Sequence, residues 1–230
     1  FEYGAALGKL LGKLPGGSGA EQAKAIAAKV APVLAKLRVD TAGRSKQPIR
    51  LPEELATDLA DKSSKVESLT SFEAALLLTS ALRKAGLAAL VAEIFEVDAP
   101  MRSADSSMLG RFVVAVYNES KLGKKPLVVL DPARAAKLPR WAGGGSDATM
   151  ANKAKSIVPL DDATVVAQLF AQRALREIAK NPKSPSRAYE LSKLALVLAH
   201  RSASVHVARA VVVAAAGQGG GTGEADLALG

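Results

Sequence analysis

The chain has 230 residues, with 31 lysines and arginines against 22 acidic residues, 49% hydrophobic and 4% aromatic residues, two histidines and no cysteine. The length and the hydrophobic content are typical of a folded protein with a sizeable core, not of a disordered chain. The missing cysteine excludes disulfides, thiolate nucleophiles and thiolate metal sites, and two histidines leave few places for imidazole chemistry.

The formal charge of +9 is unevenly distributed along the chain. Residues 1–60 carry 9 basic and 6 acidic residues, residues 61–135 carry 10 and 9, and residues 136–230 carry 12 and 7, which gives net charges of +3, +1 and +5. The densest basic cluster is Lys121, Lys124 and Lys125, and it has no interleaved aromatic residue on which a base could stack. We therefore interpret this cluster as a solvated loop and keep nucleic-acid or anionic-surface binding as an alternative function.

Three features of the sequence bear on the cellular compartment of the protein. The longest uninterrupted apolar run, Ala210 to Ala216, is far shorter than the roughly 20 residues of a membrane span, so no transmembrane helix is expected. The first residue is Phe1 rather than Met, which leaves room for a leader removed before it. The absence of cysteine favours an extracytoplasmic compartment, periplasmic or secreted, over the cytoplasm.

Residues 1–49 are predicted to be an N-terminal helical segment followed by a linker. A short helix ends by Pro15, and a Gly/Ser turn follows it. From Ala20 to Leu37 the apolar residues recur every three to four positions, which predicts an amphipathic helix. Residues 38–52 are polar and contain proline, and we interpret them as the linker.

Residues 50–135 are predicted to form an α+β core. Thr70 and Glu73 have the spacing of a capping box, the following residues are apolar nearly all round, and Gly86 supplies the stop, so a buried helix is expected. The three runs after it, rich in β-branched and aromatic residues, are expected to be strands. They are Leu87–Val97, Phe112–Tyr117 and Pro126–Leu130. A buried helix followed by an antiparallel meander of three strands makes the fold class α+β.

The last part of the chain is predicted to be a loop over residues 136–160 and helices over residues 161–230. Asp161 or Asp162 can cap a helix to about Ala179, and Ser184 or Ser186 can cap one that ends at His200. A third helix runs from Ala203 to Ala216 and ends at Gly217. We expect these helices to pack on the α+β core.

The order of helix and strands in residues 70–132 resembles the transglutaminase-like core that is shared with papain-type cysteine proteases. In that family a nucleophilic Cys lies in the first turn of the buried helix, twelve residues before an Arg-x-x-Gly-Ile/Leu segment. Here the segment is Arg83–Leu87, and twelve residues before Arg83 stands Ser71. The family's His-Ala-Trp-Val-x-Val-Tyr strand corresponds to Arg111–Tyr117, and its Leu-Asp-Pro motif to Leu130–Pro132. The resemblance covers roughly residues 50–135.

The resemblance implies that the working residues of the family are replaced in this chain. Ser71 stands at the position of the nucleophilic Cys, Arg111 at that of the His, and Asp131 at that of the residue that orients the His. A serine hydroxyl needs a general base within hydrogen-bond reach, and arginine does not accept a proton at working pH. We therefore expect no catalytic residue, with Ser71 as the first residue of a capped helix and Asp131 in an ion pair with Arg111.

The C-terminal helices resemble the passage from one tetratricopeptide repeat to the next. The resemblance rests on the small residues Ala188 and Ala195, on the helix after Val205, and on Glu224–Leu227 as the start of a further helix. In this register His200 takes the place of a common Pro, and His206 that of a common Trp. Transglutaminase-like domains followed by such repeats occur together in bacterial proteins.

Three functions remain open from the sequence. The first is a transglutaminase-like pseudoenzyme that acts as a protein- or peptide-binding or scaffold module, through the former cleft or the concave face of the C-terminal helices. The second is a serine-dependent amide or ester hydrolase in which His200 or His206 serves Ser71 as the base. The third is the basic nucleic-acid or anionic-surface binder. No cofactor and no metal are expected, because the two histidines are six residues apart and do not share a helical face.

Overall fold

The computed structural model describes residues 3–34, 37–39, 47–61, 66, 68–95, 111–118, 126–132 and 156–219. They fall into two compact units. The first unit contains the described residues up to Leu160 other than 47–49, and the second contains 47–49 and 161–219. The N-terminal helices belong to the same unit as the sheet. The predicted loop at residues 121–125, most of the predicted loop over residues 136–160, and residues 220–230 lie outside the described residues.

The described part of the first unit contains four helices, which are α1 (Ala5–Leu11), α2 (Gly19–Leu34), α3 (Pro52–Ala60) and α4 (Ser71–Lys84). Helix α1 packs against α3, and both α2 and α3 pack against α4. The carboxylate of Glu53 accepts hydrogen bonds from the backbone N–H groups of Ala6 at 2.7 Å and Leu7 at 3.1 Å. A carboxylate is stabilising at this position because the first N–H groups of a helix have no partner within it.

Helix α4 is the centre of the first unit, as the sequence predicted. Every residue from Phe72 to Leu82 is buried, because the helix is apolar on almost all sides. The Thr70 side chain accepts from the Glu73 backbone N–H, and the Glu73 side chain accepts from the Thr70 backbone N–H, so the predicted capping box is confirmed. At the other end Gly86 has φ of 83°, a conformation that favours glycine, and the N–H of Leu87 donates to the carbonyl of Leu82.

The main sheet has four antiparallel strands in the order β5, β4, β3, β6, and α4 packs against β3 and β4. Strand β3 spans Ala88–Phe95, β4 spans Arg111–Tyr117 and β5 spans Val128–Leu130. These three match the predicted meander with shifted ends. Strand β6 (Ser156–Pro159) pairs with β3 and was placed in the loop of residues 136–160, so that prediction was wrong at these residues. It is short and ends in a proline, as edge strands often do.

A second, smaller sheet lies within the segment that was predicted to be a linker. Strand β1 (Arg38–Val39) pairs in parallel with β2 (Ser68–Leu69), with Arg38 opposite Ser68. The prediction of a linker over residues 38–52 was therefore wrong at residues 38 and 39, which form β1. Helix α3 begins at Pro52, the last residue of the predicted linker. A strand of two residues is too short to show an alternation of apolar and polar residues, so it can be recognised only from its pairing with another strand.

The second unit is a set of three helices joined by short loops. Helix α5 spans Asp162–Lys180, α6 spans Ser186–Leu198 and α7 spans Ala203–Gly219, and each packs against the other two. The buried residues at which the three helices meet are mostly alanines. They form two clusters, one that includes Ala171 and Ala195 and one that includes Ala174 and Ala188. Small side chains allow the helix backbones to approach closely. The observed fold class is α+β, as predicted.

Candidate functional site

The candidate site begins at Ser71, the first residue of α4. Its side chain is half-buried, and its hydroxyl oxygen accepts a hydrogen bond from the backbone N–H of Phe112 at 3.3 Å. The ring of Phe112 meets that of Phe72 edge to face, with the ring centroids 5.0 Å apart. These two contacts hold the beginning of α4 against the beginning of β4. In the family resemblance, Ser71 and the residue before Phe112 take the positions of the nucleophilic Cys and the His.

Arg111 and Asp131 belong to the same end of the sheet. Arg111 is the first residue of β4 and precedes Phe112 in the chain, but its side chain lies outside the described part of the molecule. Asp131 follows the last residue of β5, and since Leu130 pairs with Val114, the strand direction carries Asp131 toward the beginning of β4. The Asp131 side chain is buried, with 9% of it exposed. The backbone thus brings positions 71, 111 and 131 to one edge of the first unit.

A buried ion pair lies beside Ser71, and the sequence reasoning missed it. The Glu73 carboxylate accepts from Arg50 twice, from Nε at 2.9 Å and from the backbone N–H at 3.0 Å, and its second oxygen accepts from the Thr70 N–H at 2.7 Å. The two side chains of the pair are 6% and 2% exposed. Arg50 also donates to the carbonyl of Ser68 at 2.7 Å. Charge-assisted hydrogen bonds of this kind are strong, so the pair ties the start of α4 to the segment that precedes α3 and to strand β2.

Glu73 is consequently not available as a base for Ser71. Both of its oxygens already accept hydrogen bonds, and two of the three donors belong to Arg50, one of them its guanidinium. Three of the roughly four lone-pair positions of this carboxylate are thus taken up by donors that tie it into the local structure. The role that the arrangement supports for Glu73 is structural.

Both histidines of the chain lie in the second unit. His200 lies in the turn between α6 and α7, and His206 lies in the first turn of α7. His206 and His200 are exposed, and Nε2 of His206 is 2.6 Å from the carbonyl oxygen of His200. The imidazole of His206 is thus engaged within its own helical hairpin. The first 199 residues of the chain contain no histidine.

The described residues contain no group of three or more His, Cys, Asp or Glu side chains arranged to hold a metal ion. None of the helices that the structure describes has the length and the apolar content needed to cross a membrane.

Comparison of the chain with protein-family models, with curated proteins and with solved structures found no significant match.

Proposed function

We propose that this chain is a non-catalytic domain with a transglutaminase-like α+β fold, which binds another protein or a peptide. The observation that carries the proposal is the use of the Ser71 hydroxyl as an acceptor for the Phe112 backbone N–H. In the resembling family the corresponding position holds a thiolate that must be free to attack. Here the side chain at that position serves to join a helix to a strand.

The chemistry around Ser71 supports the same proposal. A serine becomes a nucleophile only when a base takes its proton, and imidazole is the usual base at neutral pH. The first unit has no histidine, its Glu73 carboxylate is engaged with Arg50, and the residue at the family's histidine position is Arg111. Arginine cannot act as a base because it stays protonated. A binding role needs none of these groups.

Hydrolysis by the full-length chain tests the non-catalytic part of the proposal. The protein and its Ser71→Ala variant are incubated with a panel of amide and ester substrates, and thermal unfolding verifies that both are folded. We expect the same background turnover from both proteins. Turnover that the Ser71→Ala change abolishes would refute the proposal and would favour the serine-hydrolase alternative.

Introduced thiols test the transglutaminase-like arrangement separately. Because the chain has no cysteine, Ser71→Cys creates a single thiol whose rate of alkylation by iodoacetamide can be followed against pH. If position 111 lies where the family has its histidine, adding Arg111→His should introduce a new inflection at about pH 6–7 into this profile, because the thiolate then faces an imidazole that loses its charge in that range. Ser186→Cys, at the first residue of α6, is the matched control, and Arg111→His should leave its reactivity unchanged. An unchanged profile for the Ser71→Cys thiol would contradict the family resemblance.

A further inference from the structure

The outward face of α6 carries the most exposed large apolar side chain in the described residues. Val197 is 72% exposed, and its neighbours Leu194 and Leu198 are 48% and 41% exposed. The three residues have the spacing i, i+3 and i+4, so they lie on one face of the helix. Half-buried Leu191 lies one turn nearer the start of α6 at the border of this face, and it also packs against the inner cluster around Ala174. We call these four residues the α6 apolar face.

The opposite face of α6 is the one that packs inside the second unit, and its residues are small. Ala188, Ser192 and Ala195 are 1% or less exposed, and Ala188 and Ala195 belong to the clusters formed with α5 and α7. Arg209 of α7 fastens this side further, because it donates to the Ser192 hydroxyl at 2.9 Å. The helix therefore buries its small residues most deeply, packs Leu191 and Leu196 partly against the inner clusters, and leaves three large apolar residues in water, Leu194, Val197 and Leu198. Burial of apolar area is favourable in proportion to that area, so this distribution suits a helix that buries a second face in a complex.

The charges around the α6 apolar face are mainly positive. Arg187 lies two turns before Leu194 on the same face, Lys193 directly precedes Leu194, and Arg201 follows α6 in the turn to α7. All three are exposed, against one exposed acidic residue, Glu190, which lies on the face one turn before Leu194. The second unit as a whole has the same sign, with eight basic and four acidic residues in positions 161–219. Opposite charges at the rim of an interface select the partner and speed the encounter. A partner that presents carboxylates on either side of an apolar stripe complements this surface.

The size of the α6 apolar face matches a helix better than a second folded chain. Helix α6 has 13 residues. At a rise of about 1.5 Å per residue, such a helix is about 20 Å long and about 10 Å wide. Stable protein dimers bury about 800 Å² on each partner, which is several times the area of one such helix face. A single amphipathic helix of three to four turns covers a face of this length.

We propose that the α6 apolar face binds an amphipathic helix of a partner protein, one that presents leucine-type side chains at i, i+3, i+4 and i+7 between rows of Asp and Glu. The inference deepens the binding role proposed above and depends on it. Recognition follows the mode in which a helix lays its apolar side on an apolar surface, with the rim charges setting the specificity.

Two synthetic peptides of about 14 residues, labelled with a fluorophore, test the inference. Both have leucines at i, i+3, i+4 and i+7, and the other outward positions are Glu in one peptide and Lys in the other. Fluorescence anisotropy with the full chain should show that the Glu peptide binds at least about tenfold more tightly than the Lys peptide. Replacing both Arg187 and Arg201 by Glu should reverse that preference. Equal binding of the two peptides, or binding of neither, would overturn the inference.

A matched pair of variants locates the binding surface. Leu194 and Leu127 are both 48% exposed, the first on α6 and the second in the first unit just before β5. Leu194→Ser should weaken binding of the Glu peptide about tenfold, and Val197→Glu should weaken it further, while Leu127→Ser should leave it unchanged. Circular dichroism verifies that all three variants are folded. Equal weakening by Leu194→Ser and Leu127→Ser would overturn the assignment to α6.

Two other possible occupants of the α6 apolar face, a second copy of the chain and a lipid surface, are tested with the same purified protein. A dimer in light scattering that Val197→Glu dissociates would show that a second copy covers the face, and binding to phosphatidylglycerol vesicles without binding of the Glu peptide would show a lipid surface. Either result overturns the inference. The hydrolysis assay on Ser71→Ala is independent of α6, so failure of the peptide experiment and failure of the non-catalytic proposal are separate results.

Discussion

The buried ion pair at the start of α4 gives the sharpest prediction about stability. Glu73→Ala removes the acceptor of three hydrogen bonds and leaves the guanidinium of Arg50 buried without its carboxylate. Removing one partner of a buried ion pair costs about 3–5 kcal/mol, because the remaining charge stays out of water. At about 2–4 °C per kcal/mol for a protein of this size, the melting temperature should fall by about 6–20 °C. Urea and thermal unfolding followed by circular dichroism measure both quantities.

Glu54→Ala is the matched control for Glu73→Ala. Glu54 also lies in the first turn of its helix and accepts from a backbone N–H three residues earlier, that of Leu51 at 2.7 Å, but it is exposed. Its loss should cost about 1 kcal/mol or less, which is the usual value of an exposed capping interaction. A Glu73→Ala cost as small as that of Glu54→Ala would refute the reasoning, since burial of the charge would then have no effect.

A double variant separates the charge from the hydrogen bonds. Glu73→Gln keeps an oxygen for the Thr70 N–H but leaves Arg50 without a counter-charge, and Arg50→Met leaves Glu73 without one. The double variant has neither buried charge, so it should be more stable than the sum of the two single losses predicts. Additive losses would mean that the two side chains do not interact as the distances indicate.

Four further changes test the helix ends and the helix packing by urea unfolding. Gly86→Ala should destabilise the protein by about 1–2 kcal/mol, because φ is 83° at this residue, although the space beside it is open. Hydrogen bonds from the side chain and backbone of Thr164 lower the pKa of Asp161, so the stabilisation from this cap is present above the ordinary pKa of the carboxyl and is lost as the pH falls through the lowered one. Asp161→Ala should therefore cost about 1 kcal/mol at neutral pH and nothing in strong acid. Ala195→Leu should cost about 1–3 kcal/mol by overpacking a fully buried position, and Val197→Leu on the exposed side of α6 about 0.5 kcal/mol or less.

The helix at the centre of the first unit could be predicted closely because its signals are local. Thr70 and Glu73 begin it, Gly86 ends it, and each acts on backbone groups a few residues away. Helix α3 carried a comparable signal, since Pro52 at its first position is followed by two glutamates, and that signal was overlooked. Strand β6 offered only Ile157 and Val158 as adjacent apolar residues, too few to define a period, so its pairing with β3 could not be foreseen.

The same distinction between local signals and distant contacts applies to the residues of the candidate site. Ser71 and Asp131 were found through short motifs, and a family resemblance was needed to suggest that they approach one end of the sheet. The ion pair of Arg50 with Glu73 had no such signal, because its members are 23 residues apart and nothing in the pattern of either segment refers to the other. The α6 apolar face was also missed, since leucines on an amphipathic helix are normally expected to point inward.

The sequence by itself determined the fold class, the buried helix α4 with both of its ends, the three strands that follow it and the three C-terminal helices. It also determined that no cysteine and no histidine stands in the first unit. Only the tertiary structure decided that the Ser71 hydroxyl accepts from Phe112, that Glu73 is held by Arg50, and that α6 turns its alanines inward and Val197 outward. Caps and periodic patterns act within a few residues, whereas these contacts depend on which faces of distant segments are brought together by packing.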